Sequence, residues 1–430
     1  MTRLPDGRYV DDAPFDPEAS IRHLERRDLD APNWLLIWRK FRQHKLGLIS
    51  GIFLLLSYLM LPFAGFIAPY GPETKDRTAI YSPPQWVHVI APGGGLTRPY
   101  VLGVREDMDP DTFEITFVPD PADRRDLAFF VQGDPWQFLG MTVETRLFGT
   151  VDGSFVHLLG TDSLGRDVFS RMVRGTRVTL LMGVLVMAVS CVIGTAVGVS
   201  SGYFGGRFDM VVQRITEFVK SFPDLPLYLA LVAILPRRAE PLTVFVMFAA
   251  ILVLLRWADL SRELRGKVIS IRSMDYVRSA VAVGASDGRI IGRHIVPNTS
   301  SHIIVWATYQ LPEVILLESF LSFLGVGVQA PMVSWGTMLN TAASYMELNP
   351  FLAVPPGLAI VATVLAVNLL GDVLRDSIGR GIRVPAAPST APARVRTAPT
   401  RPLAPRADDM LRVEGLEVMV SPKGGTEVPA

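Results

Sequence analysis

The sequence predicts an all-α membrane protein with six transmembrane helices, and its composition carries that prediction. Of the 430 residues, 49% are hydrophobic and only 19% are charged, against about 25% charged in an average soluble domain. The mean hydropathy is +0.31. Three blocks, at 46–72, 178–206 and 348–371, contain no charge at all. Each is longer than the roughly 20 residues with which a helix crosses a bilayer, so they are predicted as TM1, TM2 and TM6.

The other three spans are less regular. Residues 241–255 are strongly apolar and predict TM4, and residues 303–323 predict TM5 although they contain Glu313 and Glu318. TM3, at about 210–235, is interrupted by two prolines that flank Asp224. Proline is tolerated in a membrane helix where neighbouring groups satisfy the freed carbonyls. We therefore expect TM3 to be one kinked helix.

Composition and missing motifs exclude several function classes. The 42 basic residues balance 41 acidic ones, which gives no reason to expect a nucleic-acid partner. A single cysteine, Cys191, excludes a disulfide framework and thiolate zinc clusters. The chain contains no G-x-x-x-x-G-K-[ST] phosphate loop, no H-E-x-x-H and no G-x-S-x-G motif. We expect no enzyme and no cofactor bound by this chain, so any energised function would take its energy from a partner.

Basic residues indicate the orientation, because Lys and Arg accumulate on the cytoplasmic side of membrane helices. They cluster before TM1, between TM2 and TM3, between TM4 and TM5, and after TM6. With six spans these four groups fall on one side, which makes both termini cytoplasmic. Residues 1–45 are predicted as a cytoplasmic tail without a signal peptide, ending in an interfacial helix that carries Trp34, Trp38 and Phe41.

Two segments lie outside the predicted spans. Residues 73–165 form an external insert between TM1 and TM2, with strand-like pieces at 113–118 and 127–131 and turn signals at Pro119 and 133–135. Residues 384–430 are predicted as a disordered cytoplasmic tail, because 384–406 repeat Pro, Ala and Arg.

The cytoplasmic segment 275–298 has the local pattern of a helix, a turn and a second helix. Asp275 can cap the first helix, and Gly284 can end it in a left-handed conformation. Ser286 can cap the second helix, which Pro297 would stop. Each helix would have a buried side made of apolar residues: Val277, Val281, Ile290, Ile291 and Ile295. The basic residues Arg278, Arg289 and Arg293 would face outward. Two ordered helices on a cytoplasmic loop indicate a docking surface.

This segment resembles the EAA-type coupling loop of ATP-binding-cassette (ABC) importer permeases. Gly284 and the stretch 293–298 match that loop, whereas Ser279 stands where its opening glutamate is found, followed by Ala280. Further stretches, at 159–178, 201–210, 321–341 and 357–377, resemble the C-type subunit of dipeptide/oligopeptide permeases. The resemblance covers residues 160–380, the permease core being placed at 166–383. Residues 411–420 resemble the opening strand of an ABC ATPase.

The resemblance implies a permease subunit of a binding-protein-dependent importer in a bacterial inner membrane. Its expected partners are a second, homologous permease, two ABC ATPase subunits that bind ATP and Mg, an external solute-binding protein and membrane lipid. Oligopeptides or dipeptides are the implied substrates, with oligosaccharides or opines as the alternative. The implied ATPase-coupling residues are Asp275, Arg278, Ala280, Gly284, Asp287, Arg289, Arg293, His294 and Pro297.

Two other classes of protein fit the sequence less well. An ion-coupled secondary transporter would place charges at the midplane of inverted repeats, and the sequence shows no internal repeat. A membrane-anchored sensor or scaffold would need a soluble effector domain, and none is recognisable.

Other polar residues leave alternatives open. Asp224 could line a substrate pathway, or it could cap a helix in a broken TM3. Glu318 could touch substrate, or it could hydrogen-bond polar partners within the helix bundle, such as Ser319, Ser322 or Asn368. Glu313, the third candidate within the spans, lies five residues before Glu318 and so about 140° around the helix, which indicates that the two do not form one carboxylate site. Asp162, Gly165, Arg166 and Asp167 precede TM2 on the external side. They could contact the solute-binding protein, or form an internal salt-bridge set that fixes a helix at 168–177. The insert itself could contact that binding protein or brace the partner permease.

Overall fold

The computed structural model describes residues 41–379 apart from 92–93, 109–114, 139, 237–238 and 347–348, together with 2–3, 9–10, 419–420 and 428–429. The chain divides into two units, Met1–Arg380 and Gly381–Ala430. In the second unit the short strands Met419–Val420 and Val428–Pro429 pair antiparallel. The rest of the predicted tail, including most of the ATPase-like stretch 411–420, lies outside the described residues. So do Trp34 and Trp38 of the predicted interfacial helix.

Ten helices are labelled here in chain order: α1 Lys45–Met60, α2 Val168–Phe204, α3 Gly206–Lys220, α4 Asp224–Ala233, α5 Pro241–Arg272, α6 Asp275–Ala282, α7 Asp287–Ile290, α8 Val296–Phe323, α9 Trp335–Ala343 and α10 Val354–Gly379. A 3₁₀ turn, Leu61–Phe63, and a last helical turn, Ala64–Ile67, extend α1. Five helical runs among the described residues are long and apolar enough to cross a membrane: Lys45–Ile67, Val168–Phe204, Pro241–Arg272, Asp287–Phe323 and Pro350–Asp376.

The prediction of TM3 as one kinked helix is wrong. The structure divides that region into α3 and α4, with a break at 221–223. Pro223 is the N-cap of α4, because a proline lacks the N–H that would continue a helix through this position. The ten residues of α4 extend only about 15 Å, half of a hydrocarbon core of about 30 Å.

The longest helix contact joins α2 to α5 through a row of glycines. Gly194, Gly198 and Gly202 follow one another at intervals of four on α2, so they lie on one face of the helix. A Cβ atom at Gly198 would lie 2.5 Å from the carbonyl oxygen of Ser261 on α5. Without side chains the two backbones approach closely, as small residues allow in membrane helix pairs.

Two buried clusters extend this contact. One joins α2, α4, α5 and α8 through Met182, Tyr228, Phe248, Leu252 and Val314, all essentially inaccessible to solvent. The other surrounds the far end of α5 and includes Leu264, Val268, Ile290 and Ile295.

The predicted insert at 73–165 contains an antiparallel sheet of four strands in sequential order, β1 His88–Ile90, β2 Leu96–Met108, β3 Ile115–Phe138 and β4 Met141–Thr150. The predicted strand pieces 113–118 and 127–131 belong, from Ile115 onward, to the single long strand β3. The turns predicted at Pro119 and 133–135 are wrong. Asp120 pairs with Gly103 and the strand continues, with a register shift between Gln132 and Trp136. A bulge of this kind accommodates extra residues without ending a strand.

Candidate functional site

The candidate docking surface is a helical hairpin made of α6, the turn at 283–286 and α7. Gly284 has a φ of +80° and follows the last turn of α6. The Gly284 N–H donates to the carbonyl of Val281 at 2.9 Å, and the Ala285 N–H donates to the carbonyl of Ala280 at 3.1 Å. This pair of bonds is a Schellman motif, which ends a helix at a residue in the left-handed region. The predicted turn at Gly284 is confirmed.

The hairpin has a buried side and a basic, solvent-facing side. Val277, Ile290 and Ile295 are buried against the end of α5, as their spacing predicts. Val281, predicted to be buried, is instead 55% exposed; it lies in the last turn of α6, where the chain turns away at the C-cap Val283 and at Gly284. The outward side carries Arg278, Arg289 and Arg293, together with Val281 and Val283.

The predicted caps are corrected in detail. Asp275 is the first residue of α6 rather than its cap, which is Met274. Ser286 does occupy the N-cap position of α7, but its side chain makes no capping bond. Asp275 and Asp287 both lie in first turns, where a carboxylate interacts favourably with the positive end of the helix dipole.

Pro297 does not stop the second helix, contrary to the prediction. A π-helical turn, Ile291–Ile295, connects α7 to α8, and the Val296 N–H donates to the carbonyl of Ile291, five residues back. This wider turn comes just before Pro297, which has no backbone N–H to donate. Pro297 then lies in the first turn of α8, where proline is tolerated. The second arm of the hairpin is therefore the beginning of the run Asp287–Phe323.

Polar contacts tie the hairpin and its neighbours to α2. The Tyr203 hydroxyl, near the end of α2, donates to Asp287 Oδ1 at 2.6 Å. Asp209, in the first turn of α3, accepts two bonds from the Arg265 guanidinium at 2.5 and 2.6 Å and one from the Ser201 hydroxyl at 2.5 Å. A cleft of about 650 Å³ lies between these elements, lined in part by Arg272, Arg278 and Asp287.

His294 is half-buried, and its ring centroid lies 6.3 Å from that of Tyr276. Across the described residues no group of three or more His, Cys, Asp or Glu side chains could hold a metal ion.

The polar residues directly before α2 form a network of hydrogen bonds within the chain. Asp162 is buried and accepts bonds from the Leu164 and Arg166 backbone N–H groups and from Arg166 Nε, at 2.8–3.0 Å. Gly165 has a φ of +70°, and a Cβ atom there would overlap the carbonyl of Asp76. Asp167 is the N-cap of α2 and accepts from the Ser170 N–H at 2.7 Å. The helix predicted at 168–177 is the first part of α2.

His157 occupies the centre of this network. Its Nδ1 lies 3.2 Å from Asp167 Oδ1 and its Nε2 lies 3.4 Å from Asp76 Oδ2, and all three side chains are buried. Burial lowers the pKa of His157, but the hydrogen bonds to Asp167 and Asp76 outweigh it and leave that pKa raised. The bond to His157 is also the main reason why the pKa of Asp76 falls to about 2.

The three polar residues predicted within the spans occupy different environments. Glu318 is completely buried and accepts from the Ser322 hydroxyl at 2.7 Å and the Ser319 hydroxyl at 3.4 Å. Glu313 is 54% exposed and pairs with Arg256 on α5 at 2.6 Å. The two carboxylates therefore do not share a site.

Asp224 is the first residue of α4, not its cap. It lies 3.5 Å from Lys220 Nζ, which also contacts Asp259 at 3.1 Å.

Sequence reasoning missed several of the residues that connect these elements. The glycine row on α2 could have been found from its four-residue interval. The Tyr203–Asp287 and Asp209–Arg265 pairs join residues 84 and 56 positions apart, and no local pattern indicates which charge meets which. The His157 cluster likewise depends on Asp76, 81 positions away.

Two parts of the chain match families of known proteins. Residues 194–384 match the family described as the inner membrane component of binding-protein-dependent transport systems, and residues 33–84 match the N-terminal TM domain of oligopeptide transport permease C. Among solved structures, inward-facing conformations of the MetNI methionine ABC transporter align with 48% of this chain and 96% of that chain, at 19% identity and a TM-score of 0.37, too low to bear on the fold.

Three curated relatives are similar over about half of this chain. The glutathione transport system permease protein GsiD of Pectobacterium atrosepticum is 41% identical over 52% of this chain and 73% of its own length. The oligopeptide transport system permease protein OppC of Haemophilus influenzae is 36% identical over 59% of this chain and 80% of its own length. The dipeptide transport system permease protein DppC of Alkalihalophilus pseudofirmus is 37% identical over 52% of this chain and 71% of its own length. The chain belongs to the family of binding-protein-dependent transport inner membrane components, as a multi-pass permease subunit.

Proposed function

We propose that this chain forms half of the translocation pathway of an ATP-driven importer of oligopeptides or dipeptides. A second, similar permease would form the other half, two ABC ATPase subunits would bind ATP and Mg, and an external binding protein would deliver the solute. The relatives that carry peptide names support the substrate class. In this proposal α3 and α4 together make the sixth crossing and both termini are cytoplasmic.

The observation that carries the proposal is the connection of the basic hairpin to two long apolar helices. α6 follows α5 after two residues, and α7 continues through the π turn into α8. Both arms therefore have to move with the helices that they continue. A motor that displaced the hairpin would displace α5 and α8, and through the glycine contacts it would displace α2 as well. The bundle would then exchange between two packings whose populations ATP biases.

Charges that lie against the apolar helices α4, α5 and α8 support a pathway at the face these helices share, because the Glu313 and Asp224 side chains are exposed there. Glu313 and Arg256 form an ion pair that is open on the Glu313 side, and Lys220 lies between Asp224 and Asp259. A charge placed in lipid costs about 2.5–3.5 kcal/mol on insertion scales. These side chains are therefore expected to face water or the second permease, and both signs of charge suit a zwitterionic peptide. Glu318 is closed off from this face and would serve structure.

The hairpin is tested with Gly284→Val and the matched variant Gly266→Val. At neither position would an added Cβ atom meet another atom within 4 Å, but of the two only Gly284 has a positive φ. A β-branched residue is strained there by roughly 1–2 kcal/mol. With the permease tagged and the assembled complex extracted from membranes, Gly284→Val should lose most of the co-purifying ATPase while Gly266→Val keeps it. Equal ATPase recovery from the two variants would exclude the hairpin as the docking element.

The substrate class is tested separately with proteoliposomes that contain the full complex and its external binding protein. Uptake of a labelled tripeptide that depends on ATP supports the peptide proposal. Uptake of an oligosaccharide or an opine, with no tripeptide uptake, would replace it while leaving the docking proposal intact.

A further inference from the structure

The second half of the external sheet differs sharply in charge from the first. Residues 115–126 contain five charged side chains among 12 residues. Residues 127–150, which comprise the end of β3 and all of β4 and are called the aromatic hairpin here, contain three among 24: Asp134, Glu144 and Arg146. One long strand thus passes from a charged half into an apolar one.

Two of those three charges are used inside the protein, where they attach the aromatic hairpin to the end of the run Lys45–Ile67. Arg146 is completely buried and donates to the backbone carbonyls of Gly65 and Ala68 at 2.7 and 2.6 Å. Asp134 accepts from the Gly71 N–H at 2.7 Å and the Thr74 hydroxyl at 2.5 Å. Because these partners are fixed, the position of the aromatic hairpin along α1 is fixed too.

Aromatic contacts define that position. The rings of Phe138 and Phe63 stack with centroids 5.4 Å apart, and those of Phe130 and Phe66 lie 6.1 Å apart. Phe63 and Phe66 belong to the last two turns of the 23-residue run Lys45–Ile67. Such a run is about 34 Å long, only slightly longer than a hydrocarbon core of about 30 Å. The two aromatic pairs therefore lie at the depth where hydrocarbon meets headgroups.

At the same depth, the aromatic hairpin exposes large apolar side chains: Phe129, Phe130 and Met141 are 68%, 70% and 61% exposed. We propose that the aromatic hairpin is a membrane-surface element, which lies in the lipid interface beside the outer end of α1. Lipid is the occupant that fits, because this surface continues from the exposed apolar side of the run Lys45–Ile67, where Leu55, Leu59 and Phe63 are exposed. Aromatic rings are favoured at that interface.

The strand order limits how deep the aromatic hairpin can lie. β4 is an edge strand, so one row of its backbone N–H and C=O groups has no partner in the sheet. Such groups cannot enter hydrocarbon without a large cost, whereas headgroups and interfacial water can satisfy them. The element therefore lies at headgroup level and does not cross the membrane.

The test uses nitroxide labels and the fact that Cys191 is the one cysteine of the sequence. In a Cys191→Ser background, Met141→Cys and Phe129→Cys report on the aromatic hairpin, and Ala122→Cys is the matched control. Ala122 is also exposed on β3, but in its charged half. The full complex that contains each labelled chain is reconstituted in phosphatidylcholine vesicles together with its external binding protein. Relaxation by oxygen, which concentrates in lipid, is then compared with relaxation by a water-soluble nickel chelate.

The expected result is a ratio of oxygen to nickel accessibility several-fold higher at residues 141 and 129 than at residue 122. Equal ratios at the three positions would overturn the proposal, because the aromatic hairpin would then lie in water. Low accessibility to both reagents at 141 and 129 would also overturn it, since a protein surface would then cover the element instead of lipid.

Discussion

The close approach of α2 and α5 can be tested by adding a single methyl group at Gly198. The Cβ atom of an alanine there would lie 2.5 Å from the Ser261 carbonyl oxygen and 2.8 Å from the Ser261 Cα. Both are backbone atoms, so no side-chain rotation can relieve the overlap. Ordinary contacts begin at 3.4 Å, and the two helices would have to separate locally by about 0.9 Å.

The energetic consequence follows from two opposing effects. Separation by 0.5–1 Å forfeits about a quarter to a half of each contact energy across the interface, and overpacking typically costs about 1–3 kcal/mol. Alanine gains about 1 kcal/mol over glycine from helix propensity. Gly266 lies on α5, and an added Cβ meets nothing within 4 Å there, so Gly266→Ala shows the propensity gain alone. Gly198→Ala should therefore be less stable than Gly266→Ala by about 1–3 kcal/mol.

Thermal unfolding of both variants in the same detergent, followed by tryptophan fluorescence, measures this difference. We expect Gly266→Ala to unfold at or above the temperature of the unmodified chain and Gly198→Ala below it. If Gly198→Ala is as stable as Gly266→Ala, then α2 and α5 are not in contact along the glycine row. The two helices would then have no physical reason to move as one body.

Two further predictions concern buried polar groups. Because the folded-state pKa of His157 is raised above 6.5 and that of Asp76 is lowered from 3.8 to about 2, their stabilising contribution is full between pH 3.8 and 6.5. It is lost as the pH rises above 6.5 through the raised pKa of His157, or falls below 3.8 towards 2. The unfolding temperature should therefore decline as the pH rises above 6.5 in the unmodified chain but not in His157→Gln. The second prediction concerns Glu318. Glu318→Leu leaves the Ser322 hydroxyl without its acceptor, which should lower the free energy of unfolding by about 1–3 kcal/mol. Glu318→Gln keeps a carbonyl acceptor and should unfold within a few degrees of the unmodified chain, so equal losses in the two variants would contradict the assigned hydrogen bond.

Features determined by local chemistry can be predicted from the sequence. Charge-free blocks identify the long helices, because lipid excludes charge regardless of which neighbours pack against a helix. The turn at Gly284 is predictable because a helix that ends in a left-handed residue strongly prefers glycine. The burial of Val277, Ile290 and Ile295 follows from helical spacing alone.

Features that depend on partners distant in sequence cannot be predicted in this way. A proline alone does not show whether a helix ends. Pro223 lies in a break between two helices, whereas Pro297 lies within a helical run that continues through a π turn. Propensity does not distinguish these outcomes, because tertiary packing decides whether the freed backbone groups find partners. Turn-forming residues likewise suggest interruptions in the long strand β3, which pairing with β2 and β4 keeps extended.

The polar contacts at the end of α2 determine what a motor could move. Tyr203 links α2 to the start of α7, and Asp209 links α3 to α5 through Arg265. The Ser201 hydroxyl on α2 also donates to Asp209, so four elements, α2, α3, α5 and α7, are joined to one another next to the hairpin. The break at 221–223 lies beyond these links, between α3 and α4. A displacement at the hairpin should reach α2, α3, α5 and the start of α8 together, and relative motion within this chain is most easily absorbed at that break, where the helical hydrogen bonds are already interrupted.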